Sequence, residues 1–217
     1  MRLHYGVWDG VVYDNRGTAD YKEPEGLDLK NLLQFNNGNP VMTFISHRGF
    51  LVFHPHANLL FAMNKYYSTV KDNSCGKCTP CRIGNKRLHD ILEKITQGKG
   101  TMEDLDMLKN LGRVIKDTAL CGLGQTSPNP ILSTIDNFYD EYLAHIKDKK
   151  CPAGKCKALL MYHIDPELCI GCGLCARNCP VDAIVGERKE PHFINTAKCI
   201  KCGACMEKCK FKAVSTR

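Results

Sequence analysis

The sequence predicts an α+β protein with a short mixed segment, a helical domain and a duplicated cysteine-rich domain, in that order. In residues 1–56, β-branched and aromatic runs alternate with Gly, Pro and Asn, as they do in short strands. From 57 to 146, apolar residues recur every three or four positions, which is typical of helices. Near the C-terminus one cysteine run occurs twice, which indicates a duplicated unit.

The mixed segment, residues 1–56, contains three strand-like stretches, YGVWDGVVY, PVMTFIS and GFLVFHP. The pattern changes to that of a helix at about Ala57 and keeps helical spacing to Val70. This helix leads the chain into the stretch CGKCTPC, which carries three equally spaced cysteines.

Three further helices are predicted beyond Arg82, in RLHDILEKI, TMEDLDMLKNLGRVIKD and PNPILSTIDNFYDEYLAHI. The second opens with Thr101 and Asp104, which are spaced as in a capping box. The third begins with prolines, which the first turn of a helix tolerates. Residues 57–146 are therefore predicted to form a small helical bundle beneath the loops that hold Cys75–Cys81 and Cys121.

The cysteine content points to bound metal. The chain has 14 cysteines in 217 residues, and its N-terminus, MRLHYGVWDG, has no apolar signal region. No apolar run approaches the ~18 residues of a membrane span. We therefore expect a cytoplasmic, reducing compartment, where clustered cysteines bind metals more often than they form disulfides.

The net charge of +7 is weak evidence for nucleic-acid binding. If twelve cysteines hold three [4Fe-4S] cores, their thiolates add about −12 and the oxidised cores about +6, leaving about +1. The basic residues then mostly compensate charge inside the protein. We expect no nucleic-acid partner.

Residues 147–157, KDKKCPAGKCK, are charged and contain Pro and Gly, so we predict a linker. In the last predicted domain, residues 158–217, CIGCGLCARNCP at 169–180 recurs as CIKCGACMEKCK at 199–210. Each copy has the form C-x2-C-x2-C-x3-C, in which three thiolates curl around one iron–sulfur cube and the fourth binds the other cluster. The predicted ligand sets are Cys169, Cys172, Cys175 and Cys209 for one [4Fe-4S] cluster and Cys179, Cys199, Cys202 and Cys205 for the second.

This domain resembles the two-cluster bacterial ferredoxin family over nearly its whole length. It departs from the family where Lys210 replaces the proline that follows the second run. Structural zinc in both runs is the weaker interpretation, because zinc sites favour paired C-x2–4-C units over four-cysteine runs.

The stretches NSCGKCTPCRIG and LCGLGQTSPNPIL resemble the C-terminal iron–sulfur region of the NADH-binding, flavin-carrying subunit of complex I and of bifurcating hydrogenases. The resemblance implies one [4Fe-4S] cluster held by Cys75, Cys78, Cys81 and Cys121. In that family a flavin- and NADH-binding domain precedes this region. Here 74 residues precede Cys75 and lack a Gly-rich phosphate loop, so we expect no flavin or NAD in this chain.

The predicted function is electron transfer through three [4Fe-4S] clusters, as a subunit of a larger oxidoreductase complex. Proteins of this truncated kind resemble the iron–sulfur subunit of class II, tungsten-dependent benzoyl-CoA reductase from anaerobic aromatic degraders, which implies a tungstopterin partner and an upstream electron donor. An alternative is a hydrogenase or formate dehydrogenase complex. A second alternative, from another class, is a zinc-binding regulatory or nucleic-acid module.

No catalytic residues are predicted, because the sequence shows no Ser-His-Asp or paired-carboxylate arrangement. His54 and His56 are expected to be surface or packing residues. The N-terminal 56 residues are the predicted docking region, since they take the place of the family's flavin domain.

Two cysteines remain, Cys151 and Cys156, and His145 precedes them. Two thiolates and an imidazole make most of a tetrahedral zinc site, with His89, His163 or water as a fourth ligand. Such a site would pin the linker between the two iron–sulfur domains. The alternative is two reduced thiols in a turn.

Overall fold

The computed structural model describes residues 2–28, 31 and 41–216. The chain divides into two compact units, Met1–Lys155 and Cys156–Arg217. Both contain helices and short antiparallel sheets, which confirms the α+β class. Within the described ranges, no helix has both the length and the apolar character needed to cross a membrane.

The first unit begins with a four-stranded antiparallel sheet, whose strands are β1 (Tyr5–Trp8), β2 (Val11–Asp14), β3 (Thr43–Ser46) and β4 (Gly49–Val52), in the order β2-β1-β4-β3. The stretch YGVWDGVVY forms two of these strands. Asp9 and Gly10 between them have φ values of 50° and 81°, which favours a tight hairpin turn. Pro40, at the start of the second predicted stretch, lies outside the described residues.

Six helices follow in the first unit: α1 (Leu59–Asn73), α2 (Asn85–Thr96), α3 (Met102–Thr118), α4 (Gly122–Thr126), α5 (Asn129–Asn137) and α6 (Tyr139–Ile146). Asn58 caps α1, where its side-chain oxygen accepts a hydrogen bond from the backbone N–H of Phe61. The predicted capping box of Thr101 and Asp104 starts α3 and is confirmed. A π-helical turn, Pro80–Gly84, runs directly into α2.

The prediction of one continuous helix over residues 128–146 is wrong, because the helix breaks at Phe138. This residue leaves helical geometry, with φ −133° and ψ 49°. Its ring is 1% exposed and lies 4.7 Å from the ring of Tyr5 and 5.5 Å from that of Phe50. Burying this aromatic ring against the sheet compensates for the interrupted helix.

The sheet and the helices share one hydrophobic core, although the sequence divides them into a segment 1–56 and a helical domain 57–146. Tyr5, Val7, Phe50 and Val52 from the sheet belong to the same buried cluster as residues from α1, α2, α3, α5 and α6. Arg16 adds a polar link at the edge of this core, because its guanidinium bonds to Asp14 and Asp140 and lies over the ring of Phe138.

The second unit is built on the sequence repeat. Strand β5 (Tyr162–Ile164) pairs with β8 (Val214–Thr216), and β6 (Ile184–Val185) pairs with β7 (Phe193–Ile194). Two short helices, α7 (Leu174–Arg177) and α8 (Ala204–Lys208), occupy equivalent places in the two copies. Each follows a glycine in the left-handed region, Gly173 or Gly203, which turns the chain out of its cysteine loop.

Candidate metal centres

The three-cysteine loop lies between α1 and α2. Cys75 is exposed, Cys78 is half-buried, and Cys81 is buried inside the π-helical turn. Gly76 has φ +74° and its N–H lies 3.3 Å from the hydroxyl of Ser74. Arg82 donates a hydrogen bond to the carbonyl of Gly76, and this bond ties the two ends of the loop together.

The segment that carries Cys121 packs against this loop. The backbone N–H groups of Leu120 and Cys81 hydrogen-bond to the Cys78 thiol and lower its pKa. A Cβ at Gly124 would lie 3.3 Å from the Cβ and 3.6 Å from the sulfur of Cys81. Cys121 itself stands at the N-cap of α4 and is exposed. The four predicted ligands thus come from two adjacent segments, which fits a cluster held by all four thiolates.

The buried thiol of Cys81 has two polar neighbours that the sequence patterns did not predict. The Asn85 amide donates a hydrogen bond to Cys81 Sγ at 3.3 Å, and the Ser74 hydroxyl lies 3.4 Å from the same sulfur. The position of Asn85 could have predicted the first of these contacts. Asn85 begins a helix four residues after Cys81, and residues at this spacing lie on the same helical face.

The second unit contains two cavities lined by the predicted ligand sets. One is lined by Cys169, Cys172, Cys175 and Cys209, together with the buried His192. The other is lined by Cys179, Cys199, Cys202 and Cys205, together with Tyr162. In each cavity three cysteines come from one copy of the repeat and one comes from the other. This crossed arrangement fits the ligation predicted for two [4Fe-4S] clusters.

The cysteine loops of the second unit combine backbone donors with buried thiols. Backbone N–H groups of Ala183 and Lys201 donate to Cys179 Sγ at 3.3 Å and Cys199 Sγ at 3.4 Å. Burial raises the pKa of the equivalent thiols Cys175 and Cys205. Such thiols are ionised when they bind metal, and N–H donors aimed at the sulfurs stabilise the thiolate.

The two copies differ at one loop position. Gly171 has φ +67°, and a Cβ there would lie 2.4 Å from the backbone nitrogen of Glu190. The equivalent residue, Lys201, has φ +58° but already carries a side chain, whose amine bonds to the carbonyl of Ala158. Only the first loop is therefore packed too closely for any residue but glycine.

Of the predicted zinc ligands, His145 and Cys151 lie together in the first unit, with their ligand atoms within 4.8 Å of each other. His145 is fully buried, and its Nδ1 lies 2.8 Å from the carbonyl oxygen of Glu141. The Asn58 amide lies 2.9 Å from Cys151 Sγ and 3.4 Å from His145 Nε2. Cys156 is buried and is the first residue of the second unit.

The other histidines considered in the sequence lie elsewhere. His89, on α2, has its Nδ1 3.8 Å from a carboxylate oxygen of Asp90. His163 belongs to β5 in the second unit. His54 and His56 are exposed, as expected.

Comparison with known families agrees with the division of the chain into two units, because each unit contains one family match. Residues 62–145 match the family described as the NADH-ubiquinone oxidoreductase-F iron-sulfur binding region. Residues 161–210 match the 4Fe-4S dicluster domain. One part of the chain therefore matches the iron–sulfur binding region of that flavoprotein family and another matches a dicluster domain, which confirms the two resemblances drawn from its motifs.

Particular relatives are subunits of larger enzymes. The chain is 68% identical over 121 residues to the NADP-reducing hydrogenase subunit HndC of Solidesulfovibrio fructosivorans, over 56% of this chain and 25% of that one. It is 32% identical over 150 residues to the beta subunit of the NADP(+)-dependent formate dehydrogenase of Moorella thermoacetica, over 69% of this chain and 20% of that one. It is 39% identical over 93 residues to the alpha subunit of the NAD-reducing hydrogenase HoxS of Cupriavidus necator, over 43% of this chain and 15% of that one. The chain thus spans a quarter or less of the length of these relatives.

The contrast between Gly171 and Lys201 can be tested by iron analysis. Gly171→Ala places a Cβ against the backbone of Glu190, so the loop between Cys169 and Cys172 must shift. We expect anaerobically purified Gly171→Ala to contain up to about four fewer irons per chain, the content of one cluster. Lys201→Ala is the matched control and should keep its iron. Equal iron in both variants would contradict this account of the loop.

Proposed function

We propose that the protein is an electron-transfer subunit that relays single electrons through three [4Fe-4S] clusters within a larger oxidoreductase complex. The observation that carries this proposal is the pair of crossed four-cysteine cavities in the second unit. The contact between the Cys121 segment and the three-cysteine loop supports a further cluster in the first unit. The matches to two iron–sulfur families support the same chemistry.

Each cluster, when bound, would supply a one-electron carrier. The chain's own contribution is to hold the thiolates and to direct backbone N–H groups at their sulfurs. The first cluster would be held by Cys75, Cys78, Cys81 and Cys121. The second would be held by Cys169, Cys172, Cys175 and Cys209, and the third by Cys179, Cys199, Cys202 and Cys205.

As partner we propose a catalytic subunit of a hydrogenase or formate dehydrogenase complex, with a separate electron donor. The names of HndC and of the formate dehydrogenase beta subunit support this alternative. The tungstopterin partner stays a prediction that draws only on the sequence, and so does the absence of flavin and NAD from this chain. The proposal keeps the predicted cytoplasmic setting, because thiolate ligands need a reducing environment.

For docking we propose the sheet-bearing segment, residues 1–56, as one contact surface. The sheet is fixed to the helices by the shared core, so a partner held there would stand at a defined position relative to the Cys75–Cys81 loop. Val11 and Val12 on β2 are about half exposed, at 53% and 45%, and offer apolar area for such a contact.

We also propose zinc at His145, Cys151 and Cys156, as the sequence predicts. The contact between His145 Nδ1 and the Glu141 carbonyl supports it, because a carbonyl that accepts the Nδ1 proton orients the ring and fixes the tautomer in which Nε2 is the metal-binding nitrogen. The Asn58 amide lies beside both His145 and Cys151, so it would lie next to a metal that these two residues bind. The chain from Cys151 to Cys156 is short enough for the second thiolate to reach the same ion.

The cluster assignment predicts the iron content. The anaerobically purified chain should contain about twelve irons, and Cys121→Ala should lose about four while the dicluster domain keeps its own. Iron and sulfide analysis, with the low-temperature electron paramagnetic resonance (EPR) spectrum of the dithionite-reduced protein, measures both. Loss of every cluster, or of none, would contradict the assignment of Cys121 to a separate site.

The zinc assignment predicts a separate metal loss. We expect one zinc per chain by elemental analysis, absent from Cys151→Ser, with the iron content unchanged. Cys121→Ala is the matched variant, which should lose iron and keep zinc. A wild-type chain that contains iron alone would end the zinc proposal and leave the iron clusters unaffected.

The electron-transfer role predicts no turnover by the chain alone. The isolated protein should not oxidise NADH with an artificial acceptor, because we expect no dinucleotide site in it. After reduction with dithionite and removal of the excess, it should pass electrons to an added one-electron acceptor. Steady NADH oxidation by the isolated chain, or no transfer from the reduced chain, would overturn this role.

A further inference from the structure

A buried chain of hydrogen bonds ends at the sulfur of Cys81. Asn85 is fully buried, and its amide donates to Cys81 Sγ at 3.3 Å. On the other side, the hydroxyl of Ser127, 1% exposed, lies 3.0 Å from the Asn85 side-chain oxygen and 3.0 Å from the Gly124 carbonyl oxygen, and its one proton is shared between these two acceptors. The hydroxyl of Tyr67 donates to the backbone carbonyl of Ser127 at 3.0 Å and extends the chain into the core.

The local structure fixes which end of the amide faces the sulfur. Asn85 begins α2, four residues after Cys81, so the two side chains lie on the same face of the helix. A thiolate can only accept hydrogen bonds, so the amide N–H₂ faces it and the amide oxygen faces Ser127. Because this group is buried among helices, reorienting it would leave a polar atom unsatisfied.

Hydrogen bonds to cluster sulfurs are one of the factors that set the reduction potential of an iron–sulfur centre. Reduction adds negative charge to the cluster and its ligands, so a donor at the sulfur stabilises the reduced form more than the oxidised form. The interaction is strong here because Asn85 and Cys81 are both buried and the Ser127 hydroxyl holds the amide oxygen.

We propose that Asn85 is a positioning residue that raises the reduction potential of the cluster held by Cys75, Cys78, Cys81 and Cys121. This inference rests on the proposed function, since it requires a cluster at these four cysteines. It assigns to Asn85 the tuning of one centre of the relay, with Ser127 holding the amide in place. This hydrogen bond lies within the first unit.

The test is a redox titration of the full chain, followed by EPR, with Asn85→Leu compared to wild type. The Cys121→Ala spectrum identifies, by difference, the signal of the cluster concerned. Losing one donor to a charged sulfur should lower the equilibrium constant for its reduction about tenfold, which is ~59 mV for a one-electron couple. The other signals should titrate unchanged.

Two further variants keep the inference testable if Asn85→Leu fails to bind its cluster. Ser127→Ala leaves the amide in place but removes its anchor, so the potential should shift in the same direction by a smaller factor. Asn137→Ala, which removes an exposed amide that bonds to the Ser133 carbonyl on α5, is the matched control and should titrate as wild type.

The outcomes separate this inference from the function on which it rests. A wild-type chain with no signal that depends on Cys121 would overturn the proposed cluster itself. A cluster that is present but has the same potential in wild type, Asn85→Leu and Ser127→Ala would overturn the role of Asn85 alone. A shift in Asn137→Ala as large as that in Asn85→Leu would also overturn it.

Discussion

The close approach of the Cys121 segment to the three-cysteine loop is the contact on which the first candidate centre depends. The two segments are 40 residues apart in the chain, and α2 and α3 lie between them. Gly124 permits this close approach, because a Cβ there would lie 3.3 Å from the Cβ of Cys81 and 2.5 Å from that of Ala119 in its own segment. The buried faces of α1, α2 and α3 then hold both segments in place.

In the first unit, several hydrogen-bond donors point at the sulfurs of the predicted cluster ligands. Backbone N–H groups of Leu120 and Cys81 point at Cys78, and the Asn85 amide points at Cys81. The unit thus offers donors to sulfurs that carry negative charge when they bind metal. The hydrogen bond from Asn85 to Cys81 is buried on both sides, where such a bond is strong.

The second unit achieves a similar arrangement by duplication. Each cavity takes three cysteines from one copy and one from the other, so neither copy can complete its site alone. The copies are not identical, because Gly171 packs against the backbone of Glu190 while Lys201 extends its amine to Ala158. Such differences give two centres of the same type different surroundings, a condition for different potentials.

The sequence by itself determined the α+β class and both iron–sulfur modules, because most of their cysteines lie in short loops with fixed spacing. The grouping of the cysteines into three ligand sets stays a prediction. Only the tertiary structure decided the break at Phe138, the core shared by sheet and helices, and the link from Ser127 through Asn85 to Cys81. The first two join residues distant in sequence, and the third depends on the contact between Ser127 and Asn85, which are 42 residues apart. Their contacts follow from how side chains fill one buried volume, which spacing along the chain does not encode.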